Sequence, residues 1–418
     1  MTQDNIEIMA PAGSRESLAA AIQAGADAVY FGIGKLNMRS RSTVNFTLED
    51  LEGITELCRQ HNVHTYLTVN TIVYSEELEE VRRLLEKARE CGVTAIIASD
   101  WAVITLARGL GLRVHASTQC NITNLEAARF FARYADVLVT ARELNLSQVK
   151  EIADGIAREG IKGPGGELLR LEIFVHGALC MAVSGKCYLS LDNLGASANR
   201  GACLQPCRRQ YEVRDADNEM ELLVSGKYIL SPKDLCTIGF LDKILQAGVS
   251  VLKIEGRGRS PEYVKTVTTC YREAVEACRD GSYGEEKIAG WTGRLRDVYN
   301  RGFWEGYYLG RRMGEWTERY GSQARKTKVF AGTVTNYFAR IGVAEIRVEN
   351  DCINVGDELL VIGPTTGVAE EVLKEIRVEL KPVKTAAKGT VCSIPVNVRV
   401  RRNDKVYKTI PVCDSETF

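Results

Sequence analysis

Eight short apolar runs, each followed by a stretch with helical periodicity, occupy the first two thirds of this 418-residue sequence. The runs lack the strict apolar–polar alternation of a strand with one face in water, so they are predicted to be strands buried on both faces. Eight strand–helix units favour a (β/α)8 TIM-like barrel over an open doubly wound sheet. The runs are centred on Met9, Val29, Leu67, Ile97, Val114, Leu138, Ile173 and Leu252.

Polar residues follow nearly every one of these runs. In a parallel barrel the carboxyl ends of the strands meet at one mouth, where functional residues collect. One polar end would mean little, because loops are exposed and usually polar. Seven polar ends out of eight predict a lined pocket. They are Ala10–Gly13, Asn70–Thr71, Ser99–Asp100, Ser117–Gln119, Arg142–Glu143, His176–Gly177 and Glu255–Arg257.

The loop after the seventh run, from about residue 174 to 213, concentrates thiols. Four thiolates brought together can hold zinc or an iron–sulfur cluster. The first pair is too widely spaced for a zinc knuckle and the second is CxxxC, so the spacing favours a cluster. Four unrelated buried thiols are the alternative. The loop contains four of the chain's 13 cysteines: Cys180, Cys187, Cys203 and Cys207.

The sequence texture changes near Lys326 to short alternating strands with glycine and asparagine turns. This predicts a small all-β barrel over residues 326–418, after a first domain of residues 1–325 that includes the cysteine loop. The stretch from Ile341 to Gly363 resembles the second domain of translation elongation factors. Between the cysteine loop and the eighth run, residues 234–248 are predicted to form a helix.

Charge and local motifs limit the enzyme classes. The formal net charge is zero, which argues against a protein that coats nucleic acid through charge alone. Neither HExxH nor GxSxG occurs, so metalloprotease and serine hydrolase signatures are absent from the sequence. A cysteine nucleophile needs a histidine, and His176 lies near Cys180 in sequence. No secretory signal or membrane span is apparent, so a cytoplasmic protein is expected.

Four stretches, "EIFVHGALCMAVSGKCYLS", "NRGACLQPCRR", "LSPKDLC" and "LKIEGRGRSPEYV", resemble the collagenase-like peptidase family. Its relatives include prephenate-dependent tRNA uridine hydroxylases, a ribosomal RNA cytidine hydroxylase and proteins of oxygen-independent ubiquinone hydroxylation. The resemblance extends over residues 7–281. It implies a [4Fe-4S] cluster on the four loop cysteines, with Cys236 as a reserve ligand, and prephenate as the oxygen donor. The family's Glu255-Gly256-Arg257 signature and the "RSRSTVNF" loop also match.

Together these features predict an iron–sulfur enzyme that hydroxylates a nucleobase in RNA, with a tRNA uridine as the expected target. A collagenase-like peptidase, a hydroxylase of a non-RNA substrate and a cluster-bearing binding protein are the alternatives. RNA, a small organic acid and a homo- or hetero-oligomeric partner are expected to bind. Basic residues near Tyr407 would contact RNA phosphates. His176 and Glu255 are the predicted acid–base pair. The predicted substrate-binding residues are Arg39, Asn45, Asn70, Gln119, Asn121, Arg142, Arg200 and Arg257.

Overall fold

A computed structural model describes residues 6–41, 45–211, 228–311 and 314–412. The first strands are β1 (Glu7–Pro11), β2 (Ala28–Gly32), β3 (His64–Val69), β4 (Ala95–Ala98), β5 (Arg113–Ala116), β6 (Val137–Val139), β7 (Arg170–Gly177), β8 (Asp234–Cys236) and β9 (Val251–Ile254). The helices are α1 (Arg15–Gln23), α2 (Asp50–Gln60), α3 (Leu78–Glu90), α4 (Trp101–Gly109), α5 (Leu125–Phe131), α6 (Leu146–Glu159), α7 (Leu189–Leu194), α8 (Leu241–Gln246), α9 (Pro261–Asp280) and α10 (Glu285–Asp297). None of the helices within these ranges is long and apolar enough to cross a bilayer.

Eight parallel strands close into a barrel. Each strand from β1 to β7 pairs with the next, and β9 joins β7 back to β1. The strand residues are almost all buried, because side chains fill the interior and helices cover the outside. This confirms the predicted (β/α)8 fold, with β9 as the eighth strand of the barrel.

Side-chain caps start several helices close to the barrel mouth. Ser14 Oγ accepts a hydrogen bond of 3.2 Å from the Ser17 amide at the start of α1, and serine is a favoured residue at this N-cap position. Asp100 caps α4 through the Ala102 amide at 2.9 Å and also accepts from the Val73 amide at 3.1 Å. Asp100 thus connects two loops of the mouth.

The segment of residues 234–248 differs from the prediction. Its first residues form β8, which pairs antiparallel with the end of β7, and only α8 is helical. Thr237 donates to the Val175 carbonyl from both its amide (3.1 Å) and its hydroxyl (3.0 Å). These bonds satisfy backbone at the end of β7, and this tertiary requirement overrides the local helical pattern. The short strand β10 (Phe303–Trp304) pairs with β8.

The C-terminal region is antiparallel β-structure, as its texture predicts. Its strands are β11 (Lys326–Phe338), β12 (Val343–Val348), β13 (Ile353–Asn354), β14 (Glu358–Gly363), β15 (Gly367–Val372), β16 (Ile376–Val378), β17 (Lys381–Val383), β18 (Thr385–Ala386), β19 (Val391–Pro395) and β20 (Lys405–Pro411). The main sheet has the order β15-β14-β20-β11-β12-β19-β16-β17. The independence of the two domains and the resemblance to elongation factors stay predictions.

The C-terminal region packs against the outer helices of the barrel. Ile362 and Val368 form an apolar cluster with Ala20 of α1, and Tyr407 packs against the same cluster. The Gln23 amide group bonds the Thr366 carbonyl at 2.5 Å and the Val368 amide at 3.0 Å. The ring of Tyr407 therefore contributes to the contact between the two regions.

Candidate active site at the barrel mouth

A cavity of about 400 Å³ opens at the carboxyl ends of the strands, beneath the cysteine loop. This volume lies within the usual range for small-molecule sites. Ten of the predicted site residues line it, although they come from distant parts of the sequence. These are Arg39, Asn70, Gln119, Arg142, Glu255, Arg257 and the four loop cysteines Cys180, Cys187, Cys203 and Cys207.

Glu255 follows β9 and forms an ion pair with Arg39, whose Nη2 lies 2.7 Å from its Oε1. Its other oxygen accepts from the Tyr30 hydroxyl at 3.3 Å. Burial would raise the pKa of this carboxyl, but Arg39, Arg142 and Arg257 together hold the pKa at about 2. Glu255 is therefore ionised at neutral pH and can accept a hydrogen bond but has no proton to donate.

Arg257 is buried, with 5% of its surface exposed. Its Nη1 donates to Asn37 Oδ1 at 3.0 Å and to Thr68 Oγ1 at 2.8 Å. Burial lowers the pKa of this guanidinium to about 10, so it stays charged at neutral pH. Asn37 is fully buried and also accepts from the Arg39 amide at 3.1 Å. Asn37 thus links two predicted anion-binding arginines, a role that the sequence analysis did not recognise.

Arg142 lies flat against an aromatic wall of the cavity. Its Cζ is 3.8 Å from the centroid of the Phe174 ring, and Nη1 donates to the Ala178 carbonyl at 3.1 Å. Its Nε is buried and has no hydrogen-bond partner among the described residues. A buried, unsatisfied donor on a cavity wall is a place for a ligand acceptor.

Lys253 forms the floor of the cavity. Its Nζ lies 2.7 Å from Glu172 Oε1 and 4.7 Å from the centroid of the Tyr30 ring. Glu172 is fully buried; burial would raise its pKa, but Lys253 and His115 hold it at about 2. Lys253 was missed, although a lysine inside the apolar run "VLKIEG" is a signal. Lys253 lies in β9 and Glu255 directly follows its end, and both side chains line the cavity.

Two predicted amide ligands, Asn70 and Gln119, also line the cavity. Gln119 Nε2 donates to the Asn70 carbonyl at 3.0 Å, and Asn70 Oδ1 accepts from the Met38 amide at 3.2 Å. Both side chains line the cavity. Asn121 does not line it; its side chain donates to the Gln119 carbonyl at 2.8 Å and so supports that loop from behind.

The four loop cysteines share this cavity. Burial raises the pKa of Cys207 to about 11, Arg208 opposes the rise, and the other three thiols add to it. Such mutual influence places the four groups within electrostatic reach of one another. Within the described ranges, however, no three Cys, His, Asp or Glu side chains are already gathered as metal ligands. Cys236 is not among the described lining residues; it pairs with His176 across β7 and β8.

A partly buried guanidinium group, that of Arg208, accompanies the thiols. Arg208 donates to Ser231 Oγ at 2.9 Å and to the carbonyls of Pro232 and Leu179 at 2.8 Å each. It also lies close enough to Cys207 and Cys180 for their charges to affect its pKa. Four thiols beside a fixed cation suit an anionic group such as a thiolate-bound iron–sulfur cluster, so the residues present fit this cofactor.

His176 does not reach the cavity. Along β7, Phe174 pairs with Lys253 and His176 pairs with the next residue of β9, Ile254, so one residue of β7 is extra. This β-bulge turns His176 to the face opposite Phe174. The His176 ring packs within 6.0 Å of three rings, Tyr263, Tyr271 and Phe303. The structure therefore does not bring His176 and Glu255 together in the cavity; their acid–base pairing stays a prediction.

Two other predicted residues lie outside the cavity. Arg200 binds Glu77 with both of its terminal nitrogens, at 2.6 and 2.8 Å. Asn45 donates to the Ser40 carbonyl at 2.8 Å and accepts from Asn37 Nδ2 at 3.2 Å. Both line a separate, shallower groove beside the cavity. Residues 42–44 of the predicted "RSRSTVNF" loop, and residues 212 and 213 of the cysteine stretch, lie outside the described ranges.

Comparisons with known proteins agree with this architecture. The family model "Peptidase family U32" matches residues 13–318. The chain is 55% identical to a "Collagenase" of Porphyromonas gingivalis over 98% of this chain and 99% of that protein. It is 31% identical to "tRNA hydroxylation protein P1" of Bacillus subtilis over 86% of this chain and 83% of that protein.

A ribosomal RNA enzyme is also similar. The chain is 34% identical to a 23S rRNA 5-hydroxycytidine synthase of Escherichia coli over 66% of this chain and 40% of that protein. Relatives with a collagenase name and relatives named for RNA hydroxylation thus share the barrel region. The extent of the family match, across the barrel and its cysteine loop, leads to one conclusion: the chain belongs to peptidase family U32.

Proposed function

We propose that this protein hydroxylates a base in RNA, with a tRNA uridine as the target. In this proposal a [4Fe-4S] cluster is held by Cys180, Cys187, Cys203 and Cys207, and an organic acid such as prephenate supplies the oxygen atom. Relatives at 31% and 34% identity carry names for tRNA and rRNA hydroxylation, which supports the reaction class.

The excess of positive charge around the cavity carries the proposal. Seven of its lining residues in the described chain are Lys or Arg, and only Glu255 is acidic. Two more carboxylates, Glu172 and Asp234, contact three of these cations from outside the cavity. With Glu255 they make three negative charges against seven positive charges, so the cavity has an excess of four positive charges. Buried charge is normally compensated. A thiolate-bound cluster and an organic acid with two carboxylates are both anionic and would supply that compensation.

The cavity residues have distinct roles in this proposal. Arg142 and Arg39 both line the cavity, and their guanidinium groups would bind a carboxylate of the acid. Asn70 and Gln119 present amide groups that can pair with the edge of a planar base. Ionised Glu255 orients Arg39 and can accept a proton or hydrogen bond from the base. When bound, the cluster would supply one-electron redox chemistry.

Peptide hydrolysis is the second candidate, because a relative at 55% identity is named "Collagenase". A cysteine nucleophile would need a histidine to activate it. In the described part of the chain no histidine lines the cavity, and His176 packs behind the barrel wall. The geometry therefore favours hydroxylation over acyl transfer.

Mass spectrometry of total RNA nucleosides tests the proposal. Cells with the wild-type gene should contain a hydroxylated pyrimidine that is absent from cells without it, and Cys203→Ser should not restore it. The anaerobically purified wild-type protein should contain iron and sulfide, and Cys203→Ser should lose both. Cys91→Ser, at a helix end away from the loop, is the control that should keep them. Identical nucleosides in all strains, with hydrolysis of a collagen peptide that depends on Cys203, would refute hydroxylation in favour of proteolysis.

A further inference from the structure

A second concave surface adjoins the cavity and has no assigned role. This side groove is lined by Lys35, Arg41, Tyr74, Arg200 and the backbone of residues 195–197. No acidic residue is among its described lining residues. Glycine, alanine and serine form one wall, so the groove floor is open to a ligand that approaches the backbone closely.

The groove and the cavity are separated by a thin wall. Arg39 and Cys203 line the cavity, and their chain neighbours Ser40 and Ala202 line the groove. The Ser40 hydroxyl donates to the Gly201 carbonyl at 3.1 Å and holds the two segments of the wall together. Each pair of neighbours, Arg39–Ser40 and Ala202–Cys203, has Cα atoms about 3.8 Å apart, so the two sites lie next to each other. Adjacent units of one polymer chain can therefore occupy the cavity and the groove.

Tyr74 and Arg200 form a preorganised stacking platform in the groove. The Arg200 Cζ lies 3.9 Å from the centroid of the Tyr74 ring. Arg200 is fixed in that plane by Glu77, which accepts from both of its terminal nitrogens, and by the Ile72 carbonyl at 2.9 Å. Tyr74 is nevertheless 51% exposed, so its ring still offers area to a ligand. Aromatic rings and guanidinium planes of this kind bind splayed bases of single-stranded RNA.

Two cations stand at the edge of the groove. Lys35 pairs with Glu80 at 2.9 Å, but both side chains are at least half exposed, so water competes for that contact. Arg41 is exposed. A stacking platform with cations beside it matches a nucleotide, with its base on the platform and its phosphate at the cations.

We infer that the side groove binds the nucleotide adjacent to the target base, in a single-stranded segment of the RNA. This rests on the proposed function, because the target base would occupy the main cavity. The groove would select unpaired RNA, since a base stacked on Tyr74 has to leave its own helix. Arg200, predicted as a substrate ligand, would then act on the flanking nucleotide and not on the reacting one.

The test uses the anaerobically purified full-length protein and single-stranded RNA oligonucleotides of mixed sequence. Tyr74→Ala should weaken RNA affinity by about 5-fold to 160-fold, the range for loss of one stacked base. Tyr74→Phe should retain most of the affinity. Phe130→Ala is the matched control, since Phe130 is 44% exposed on α5 outside the groove, and it should bind RNA like the wild type.

Salt dependence separates the phosphate contacts. The double variant Lys35→Glu, Arg41→Glu should reduce the slope of log affinity against log salt by about 0.7 for each lost phosphate contact. If the protein hydroxylates RNA in cells but all variants have the RNA affinity and salt slope of the wild type, the groove does not bind RNA. The proposed hydroxylase function would be unaffected by that result. A wild-type protein that neither binds RNA nor changes its nucleosides would overturn both. Weaker binding of a collagen peptide by Tyr74→Ala, with RNA affinity unchanged, would assign the groove to peptides.

Discussion

The neutral state of His176 gives a sharp prediction, because it follows from one β-bulge. The ring is 1% exposed and surrounded by aromatic rings, and the Tyr271 hydroxyl is 3.5 Å from Nδ1. Burial, with a smaller contribution from the nearby Arg259 charge, lowers the pKa of His176 from 6.5 to about 3. The folded protein should therefore keep this imidazole uncharged down to strongly acidic pH.

The sign of the effect on stability follows directly. Between pH 6.5 and pH 3 the unfolded chain binds a proton at residue 176 that the folded chain does not, so the free energy of unfolding falls with falling pH. The stabilisation that comes from keeping His176 neutral is fully present above pH 6.5. At pH 5, which is 1.5 units below the unfolded pKa of 6.5, the free energy of unfolding is lower by about 2 kcal/mol. Below pH 3 the decrease reaches about 5 kcal/mol.

His176→Phe should remove this pH dependence, because the ring packs among other aromatics but does not titrate; His176→Leu is the smaller alternative. Urea unfolding at pH 7 and pH 5 should show that the wild type loses about 2 kcal/mol more than either variant between the two pH values. In NMR spectra of histidine-labelled protein, the resonance missing from His176→Phe should not titrate above pH 5. Equal losses of stability in all three proteins, or a His176 resonance that titrates near pH 6.5, would refute the argument that burial keeps His176 neutral.

Two further predictions concern the loops around the cavity. Gly201→Ala should release the cysteine loop from Ser40 and lower the iron content of the protein, because a Cβ at this position would collide with Ser40 and the Asn37 carbonyl. Gly195→Ala is the control, since Gly195 is also left-handed but has open space around it. The iron content of this control should stay close to that of the wild type. Arg257→Lys should destabilise the protein by about 2 kcal/mol, measured by urea unfolding, because one ammonium on a flexible chain replaces the guanidinium that bonds Asn37 and Thr68. An unchanged midpoint would mean that these bonds contribute little.

The main architecture could be predicted from the sequence. The barrel depends on repeated strand–helix units, and each unit has its own local signal in apolar periodicity and helix caps such as Ser14. The polar strand ends then had to meet at one mouth, because parallel strands share their direction. The same logic brought Arg142, Glu255 and the cysteine loop to one cavity from separate parts of the chain. Lys253 could have been added, since it stands two residues before Glu255.

Other features depended on contacts between distant segments, and only the tertiary structure decided them. Simple alternation along β7 puts His176 on the same face as Phe174; the bulge that moves it is a matter of register with β9, about 80 residues away. No local pattern marks Asn37, yet its buried side-chain oxygen accepts hydrogen bonds from both the Arg257 side chain and the Arg39 backbone amide. The sequence by itself determined which residues come near the mouth, because local periodicity sets strand direction. Which of them face the cavity was decided by strand register and by the pairing of buried polar groups, and both exist only once the barrel has closed.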